Sequence, residues 1–234
     1  MFIPAFATSI ACANDLVAFG DIPFSAHIVA AKEAPEPTGY AKRIQLVSKG
    51  KLVDTGKCLP GSLAIVDGES VVSLGKEIDF VPLAVLDKAL DCSGGTVSVE
   101  FGRSNPKYQE IANRSLTANS GCMFGPCFLV WERTHGQFFE IFLNNKSARM
   151  EAAKLYPHLP ISAGAAKANG IEAQAPKRTK MATKYVTKGK NSWFVPVVTE
   201  STAKFDKVPT NEQLITAVTA FLKQGEVVKD EQAR

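Results

Sequence analysis

No stretch of this chain approaches the ~20 uninterrupted apolar residues that a bilayer-spanning helix needs, and no basic residue precedes the apolar opening MFIPAFATSIACAND. A secretory leader is therefore not expected, although the small residues of ATSIACAND imitate a cleavage site. The expected address is the cytoplasm, or a host cytoplasm for a viral chain. Histidine is scarce, with only His27, His135 and His158. Cys122 and Cys127 could supply half of a zinc site, but no second close Cys/His pair completes it. A phosphate-binding G-x-x-x-x-G-K-[ST] loop is also missing, since neither TKGKN nor SLGKE has its spacing. The five cysteines, Cys12, Cys58, Cys92, Cys122 and Cys127, are odd in number and irregularly spaced. In a chain of this length that pattern predicts reduced, mostly buried thiols.

Catalytic constellations are equally thin. Asp79, Asp87 and Asp91 could in principle share a metal, but acids so close in sequence usually face solvent. His135 and Cys127 could act as base and nucleophile, yet His135 falls in a predicted hairpin turn and no third group orients it. No catalytic residue, cofactor or metal is expected.

What is present is an ordinary globular composition, 45% apolar and 21% charged over 234 residues, enough to bury a substantial core. The net charge of +4 is unevenly placed: residues 1–160 carry 15 bases and 16 acids, 161–190 carry 7 and 1, and 191–234 carry 5 and 6. All the excess positive charge thus sits in about thirty residues.

Most of the first part reads as short strands. YAKRIQLVSKGKLVDTG has two apolar runs about a Ser-Lys-Gly-Lys turn, and LAIVDGESVVSLGKEIDFVPL places Asp67-Gly68 between β-branched runs, so two hairpins are expected. TVSVEFG alternates Val97, Val99 and Phe101 with polar residues, a further strand. CFLVWERTHGQFFEIFL gives another hairpin about Gly136, with Trp131 and Phe138 anchoring a core. Three helices are expected: one from Pro106 capped by Asn105, one begun by Ser147 and stopped before Pro157, and one with Thr210 and Gln213 in capping-box spacing ahead of Leu214, Ile215, Val218, Phe221 and Leu222. The last should dock on the sheet. PISAGAAKANGIEAQAPKRTK is too poor in large apolar residues to bury much surface and reads as a loop or arm. The expected fold is therefore mostly β, a β-rich α+β chain: a barrel core over 1–160, a basic arm with returning strands over 161–209, and a C-terminal helix and tail over 210–234, together one domain.

The segment Pro176–Val198 carries the sharpest signal. It holds Lys177, Arg178, Lys180, Lys184, Lys188 and Lys190 with no acid, beside Tyr185, Trp193 and Phe194. On an extended strand Lys180, Lys184 and Lys188 share a face, spaced about 13 Å apart at ~3.3 Å per residue. Gly189 supplies a turn, and Pro196 confines the returning strand to an edge or a bulge. Edge lysines also discourage aggregation, which is the competing structural reading. Cations along a backbone path with planar side chains for stacking are what single-stranded nucleic acid binding uses, whereas no helix-turn-helix, zinc finger or basic helix suits duplex reading. Tyr40, Lys42 and Arg43, beside a Pro/Gly segment, are further candidates for the same surface.

The hairpins LAIVDGESVVSLGKEIDF and GPCFLVWERTHGQFFEIFL, the helix SARMEAAKLY and the closing KGKNSWFVPVV ahead of a last helix resemble the single-stranded DNA-binding proteins of bacteriophages. That resemblance implies an OB-like barrel with a protruding basic hairpin, coating and protection of single strands during DNA replication or recombination, and replication or recombination proteins as further partners, with no membrane. The tail GEVVKDEQAR departs from the acidic tip by which such proteins recruit enzymes. Two alternatives stay open: a nucleic-acid-associated structural or virion protein, which would assemble without DNA, and a hydrolytic enzyme.

Overall fold

The computed structural model describes residues 42–225 except 49, 68–69, 162–165 and 168. Cys12, His27 and Tyr40 lie outside the described residues. Arg43–Val47 (β1), Ser62–Asp67 (β2) and Ser70–Gly75 (β3) form an antiparallel meander with Ile44 opposite Ile65 and Leu46 opposite Leu63. The turn signal at Asp67-Gly68 therefore marks a real hairpin.

The expected first hairpin does not form. Its second run is a helical turn, Lys51–Asp54 (α1), and the partner of β1 is β2. Gly50, at φ +96°, reverses the chain, and its carbonyl accepts from the amides of Val53 (2.8 Å) and Asp54 (3.0 Å). That bonding seats Leu52 and Val53 on Val47, Cys58 and Ala64.

The spine of the sheet is Glu77–Asp91 (β4). One edge of β4 pairs with Cys122–Glu132 (β6); the other is shared, Phe80 and the residues before it pairing with Thr179–Lys188 (β8) and Lys88–Asp91 with Ser98–Phe101 (β5). The β4–β6 register slips between Pro82 and Ala84, where proline has no N–H to give the ladder. β6 turns back into Gln137–Phe142 (β7), which lies parallel to β1, and Asn191–Glu200 (β9) returns beside β8. The strand order is β3-β2-β1-β7-β6-β4-β8-β9 with β5 beside β4. The chain is mostly β, 43% strand and 22% helix, and its nine-stranded sheet is not closed, so an OB-like barrel is not confirmed.

Three longer helices cover the two faces. Pro106–Arg114 (α2) begins with Asn105 accepting from the Lys107 amide at 2.9 Å. Lys146–Ala152 (α3) is capped by Asn145, whose extended backbone lets its side chain accept from the Ala148 amide at 2.8 Å, so the helix starts earlier than Ser147. Asn211–Lys223 (α4) has the full capping box, Gln213 N–H to Thr210 Oγ1 and Thr210 N–H to Gln213 Oε1. Ile44, Phe80, Phe128, Phe139 and Met181 form the main core on the face where α3 places Ala148 and Ala152. The opposite face receives Leu214 and Phe221 of α4 on Val81, Trp131, Ala84, Cys127 and Leu129. Among the described residues no helix is long and apolar enough to cross a membrane.

The last strand is a protected edge. The Glu151 carboxylate of α3 accepts from the Val198 N–H of β9 at 3.1 Å. Pro196, two positions earlier and so facing the same way, has no N–H to leave unpaired. The sheet also curls until β9 meets the start of β2: a Cβ on Gly61 would overlap the Phe194 ring. Gly61 has φ +81°, so Gly61→Ala combines a left-handed backbone penalty with that clash. A loss of about 1–3 kcal/mol is expected, measurable as a lowered midpoint in urea.

Candidate nucleic-acid interface

The basic segment folds as the β8–β9 hairpin, turned by Gly189 (φ +61°) and Lys190 between the paired residues Lys188 and Asn191. Its root is tied to the sheet. Glu77 to Phe80 of β4 pair with Ala182 to Thr179, the Thr183 amide donates to Lys76 O at 2.9 Å, and Thr183 Oγ1 donates to Gly61 O at 2.6 Å. Beyond Thr183, β8 has β9 as its ladder partner over Lys184–Lys188, a projection of roughly 16 Å at ~3.3 Å per residue.

Cross-strand pairs of an antiparallel hairpin share a face, so the register sorts the side chains. One face carries Lys180, Ala182, Lys184, Val186 and Lys188 opposite Thr199, Val197, Val195, Trp193 and Asn191. Trp193, half-buried against Val186, thus stands between Lys184 and Lys188. The other face carries Met181, Thr183 and Tyr185 opposite Val198, Pro196 and Phe194. It runs from the buried Met181 to a Tyr185–Phe194 ring pair at 5.1 Å with Tyr185 58% exposed. The lysine row therefore shares its face with Trp193 and not with Tyr185.

The cations divide by partner. Lys177 lies 3.7 Å from Glu200, Lys180 lies 3.3 Å from Glu77, and Arg178 donates to Ala203 O at 3.2 Å. These three sit at the root. Lys184, Lys188 and Lys190 are exposed, and among the described residues they meet no acid. Lys42 pairs with Asp67 at 3.3 Å, and Arg43 is exposed at the end of β1 remote from Val47, the residue whose carbonyl binds Gly61 N–H. The structure therefore does not bring Lys42 and Arg43 to the hairpin tip, and Tyr40 lies outside the described residues. Phe194 gains a role the sequence did not assign it, fixing the hairpin on Gly61; the neighbouring Pro60-Gly61 was its only trace.

Residues weighed for catalysis are occupied elsewhere. Asp79 accepts from Ser201 Oγ, Asp87 pairs with Arg103 at 2.8 Å and Asp91 with Arg114 at 2.6 Å. Hydrogen bonds from Ser93, then Arg114, hold the Asp91 carboxyl far below the usual range. His135 Nδ1 lies 2.7 Å from the buried Glu132, which also caps the turn by accepting from the Thr134 and His135 amides. Burial, and then Glu140, push the Cys127 thiol up, so it stays protonated. Trp131 is core, its Nε1 donating to Lys207 O at 3.0 Å. Among the described residues, Cys58, Cys122 and Cys127 are buried thiols, Cys92 is exposed, and no His/Cys/Asp/Glu group could hold a metal ion.

At the hairpin root His158 Nδ1 lies 2.7 Å from Thr179 Oγ1. Burial, and secondarily Lys177, lower its pKa below the ordinary imidazole value. The unfolded chain takes up this proton near pH ~6.5, while the folded chain resists it until lower pH. Stability from this group is thus complete above the unfolded value and declines as pH falls through it. The urea midpoint should drop between pH 7.5 and 5.5, and His158→Gln should flatten that decline.

Comparison with family models, curated proteins and solved structures returns no match for this chain.

Proposed function

We propose that the protein binds single-stranded DNA with little sequence preference and without chemistry, coating and protecting strands during replication or recombination. The observation that carries this reading is the exposed hairpin face on which Trp193 stands between Lys184 and Lys188, neither of which meets an acid among the described residues. Lysines on that face neutralise phosphates along the strand and release counterions, while the indole offers a π-face that any base can use. Lys190 extends the positive surface round the turn. The curl that brings Phe194 against Gly61 supports an OB-like reading of the sheet, with this contact in place of a closing ladder.

Fluorescence anisotropy with labelled oligo-dT and duplex DNA across a salt series tests the proposal. Oligo-dT should bind in preference to duplex. Each single-strand phosphate contact contributes ~0.7 to the log-log salt slope, so Lys184→Ala with Lys188→Ala should reduce the slope by about 1.4. Unchanged slope and affinity in the double variant would remove the assigned role.

A further inference from the structure

On the α2/α3 side of the sheet, away from the lysine–tryptophan face, the helices leave a wide-mouthed, solvent-open cavity of about 430 Å³ over the ends of β4 and β6. Cavities of this size fall in the ~300–1,000 Å³ range of small-molecule sites. Its walls include Tyr108 and Asn113 of α2, Phe124 of β6, Arg149 of α3, and the Asp87–Arg103 pair. Three features of these walls point to a ligand.

The first is Arg149. Its guanidinium carbon lies 4.0 Å over the Phe124 ring, and Nη1 donates to the carbonyls of Phe124 and Asn144. Among the described residues no carboxylate pairs with it. Burial lowers its pKa, the sign of a cation that desolvation disfavours and no anion compensates. The second is Asp87. Its Oδ2 holds Arg103 Nε at 2.8 Å, but Oδ1 is buried with no donor. The third is the aromatic wall, where Tyr108 and Phe124 meet edge to face with centroids 6.4 Å apart. Burial pushes the Tyr108 phenol up to about 12, so it remains a neutral hydroxyl donor at physiological pH.

We infer that this cavity is a nucleotide site, taking the phosphate of a nucleoside monophosphate at Arg149, assisted by the exposed end of Arg103, and its base along the Tyr108–Phe124 wall. An anion supplies the charge Arg149 lacks, a flat heterocycle suits the aromatic wall, and an N–H on the base supplies the donor missing at Asp87 Oδ1, while Arg103, whose side chain is 61% exposed, keeps Oδ2 and turns its free guanidinium nitrogens toward the phosphate. Neither a bare phosphate nor an uncharged base satisfies all three. The inference does not rest on the hairpin's role.

Isothermal titration of the full chain with AMP, adenosine and inorganic phosphate tests it. AMP should bind, with adenosine and phosphate each at least tenfold weaker. Arg149→Gln should weaken AMP at least tenfold. Because Arg149 also holds backbone carbonyls, Asn113→Trp, at an exposed helix position, provides a second variant that fills the cavity and keeps both arginines; it should abolish AMP binding with melting unchanged. Neither substitution should alter the salt slope of oligo-dT binding, which separates this outcome from failure of the hairpin. On the Lys184→Ala, Lys188→Ala background, 5′-phosphorylated oligo-dT that displaces AMP better than its 5′-hydroxyl form identifies a strand end as the source, and equal displacement by the two identifies free nucleotide. No heat with millimolar AMP, phosphate alone binding as tightly as AMP, or AMP binding retained in Asn113→Trp would overturn the inference.

Discussion

Lys88→Ala should destabilise the protein by about 3–5 kcal/mol, the expected result of leaving one member of a buried ion pair uncompensated. Lys88 Nζ lies 3.0 Å from Glu140 Oε2, with side chains only 6% and 2% exposed. The pair sits on the α4 face of the sheet, where Cys127 Sγ reaches the same oxygen at 3.5 Å and Gln224 Nε2 reaches Oε1 at 3.4 Å. Lys88 also stands 5.7 Å from the Phe101 ring centroid. These neutral donors offset only part of the desolvation of an isolated carboxylate. The mechanism is checked by replacing both partners: Lys88→Met with Glu140→Leu should recover most of the loss, because no charge is then buried. Urea denaturation of the two single variants and the double measures the coupling. A double variant as unstable as Lys88→Ala would mean that shape, not charge, governs the site.

Trp193→Ala should weaken oligo-dT binding by about 1–3 kcal/mol, roughly 5- to 150-fold. The hairpin register is what makes this specific. Trp193 lies opposite Val186 on the lysine face, whereas Tyr185 lies opposite Phe194 on the other. Tyr185→Ala, although it removes the more exposed ring, should therefore cost less affinity. Trp193→Phe should retain most of the binding, since a π-face remains. Thermal melting of each variant distinguishes lost stacking from a loosened hairpin. Equal losses at the two positions would contradict the assignment of faces.

Local chemistry made much of this fold legible. The Thr210/Gln213 capping box, the Asn105-Pro106 helix start and the β2–β3 hairpin are each decided within a few residues, and each stands where the sequence places it. Pro196 likewise pointed to an edge strand or a bulge, because it has no N–H to give a ladder, and β9 is the edge. Signals failed where neighbours distant in sequence decide. The KLVD run looks like a strand until Gly50 folds it into a helical turn against Val47 and Ala64. Lys180 counted as a free cation until Glu77, 103 residues away, paired with it, and Lys177 until Glu200 did. The Lys88–Glu140 pair, 52 residues apart, and the cavity under Arg149 leave no trace in spacing, since both exist only once β4, β6 and the helices have assembled. The alternation of lysines was readable; which aromatic shares their face required the register.

Trp131 and Trp193 are the two tryptophans of the chain, so Trp131→Phe, a modest change within the core, leaves Trp193 as the sole indole reporter. Titrating that variant with oligo-dT at rising salt tests the central claim most directly. Stacking at the hairpin predicts quenching of Trp193 emission that saturates with oligo-dT and shifts to higher concentrations as salt increases. Emission that stays constant while oligo-dT demonstrably binds, or no binding at low salt, would contradict it.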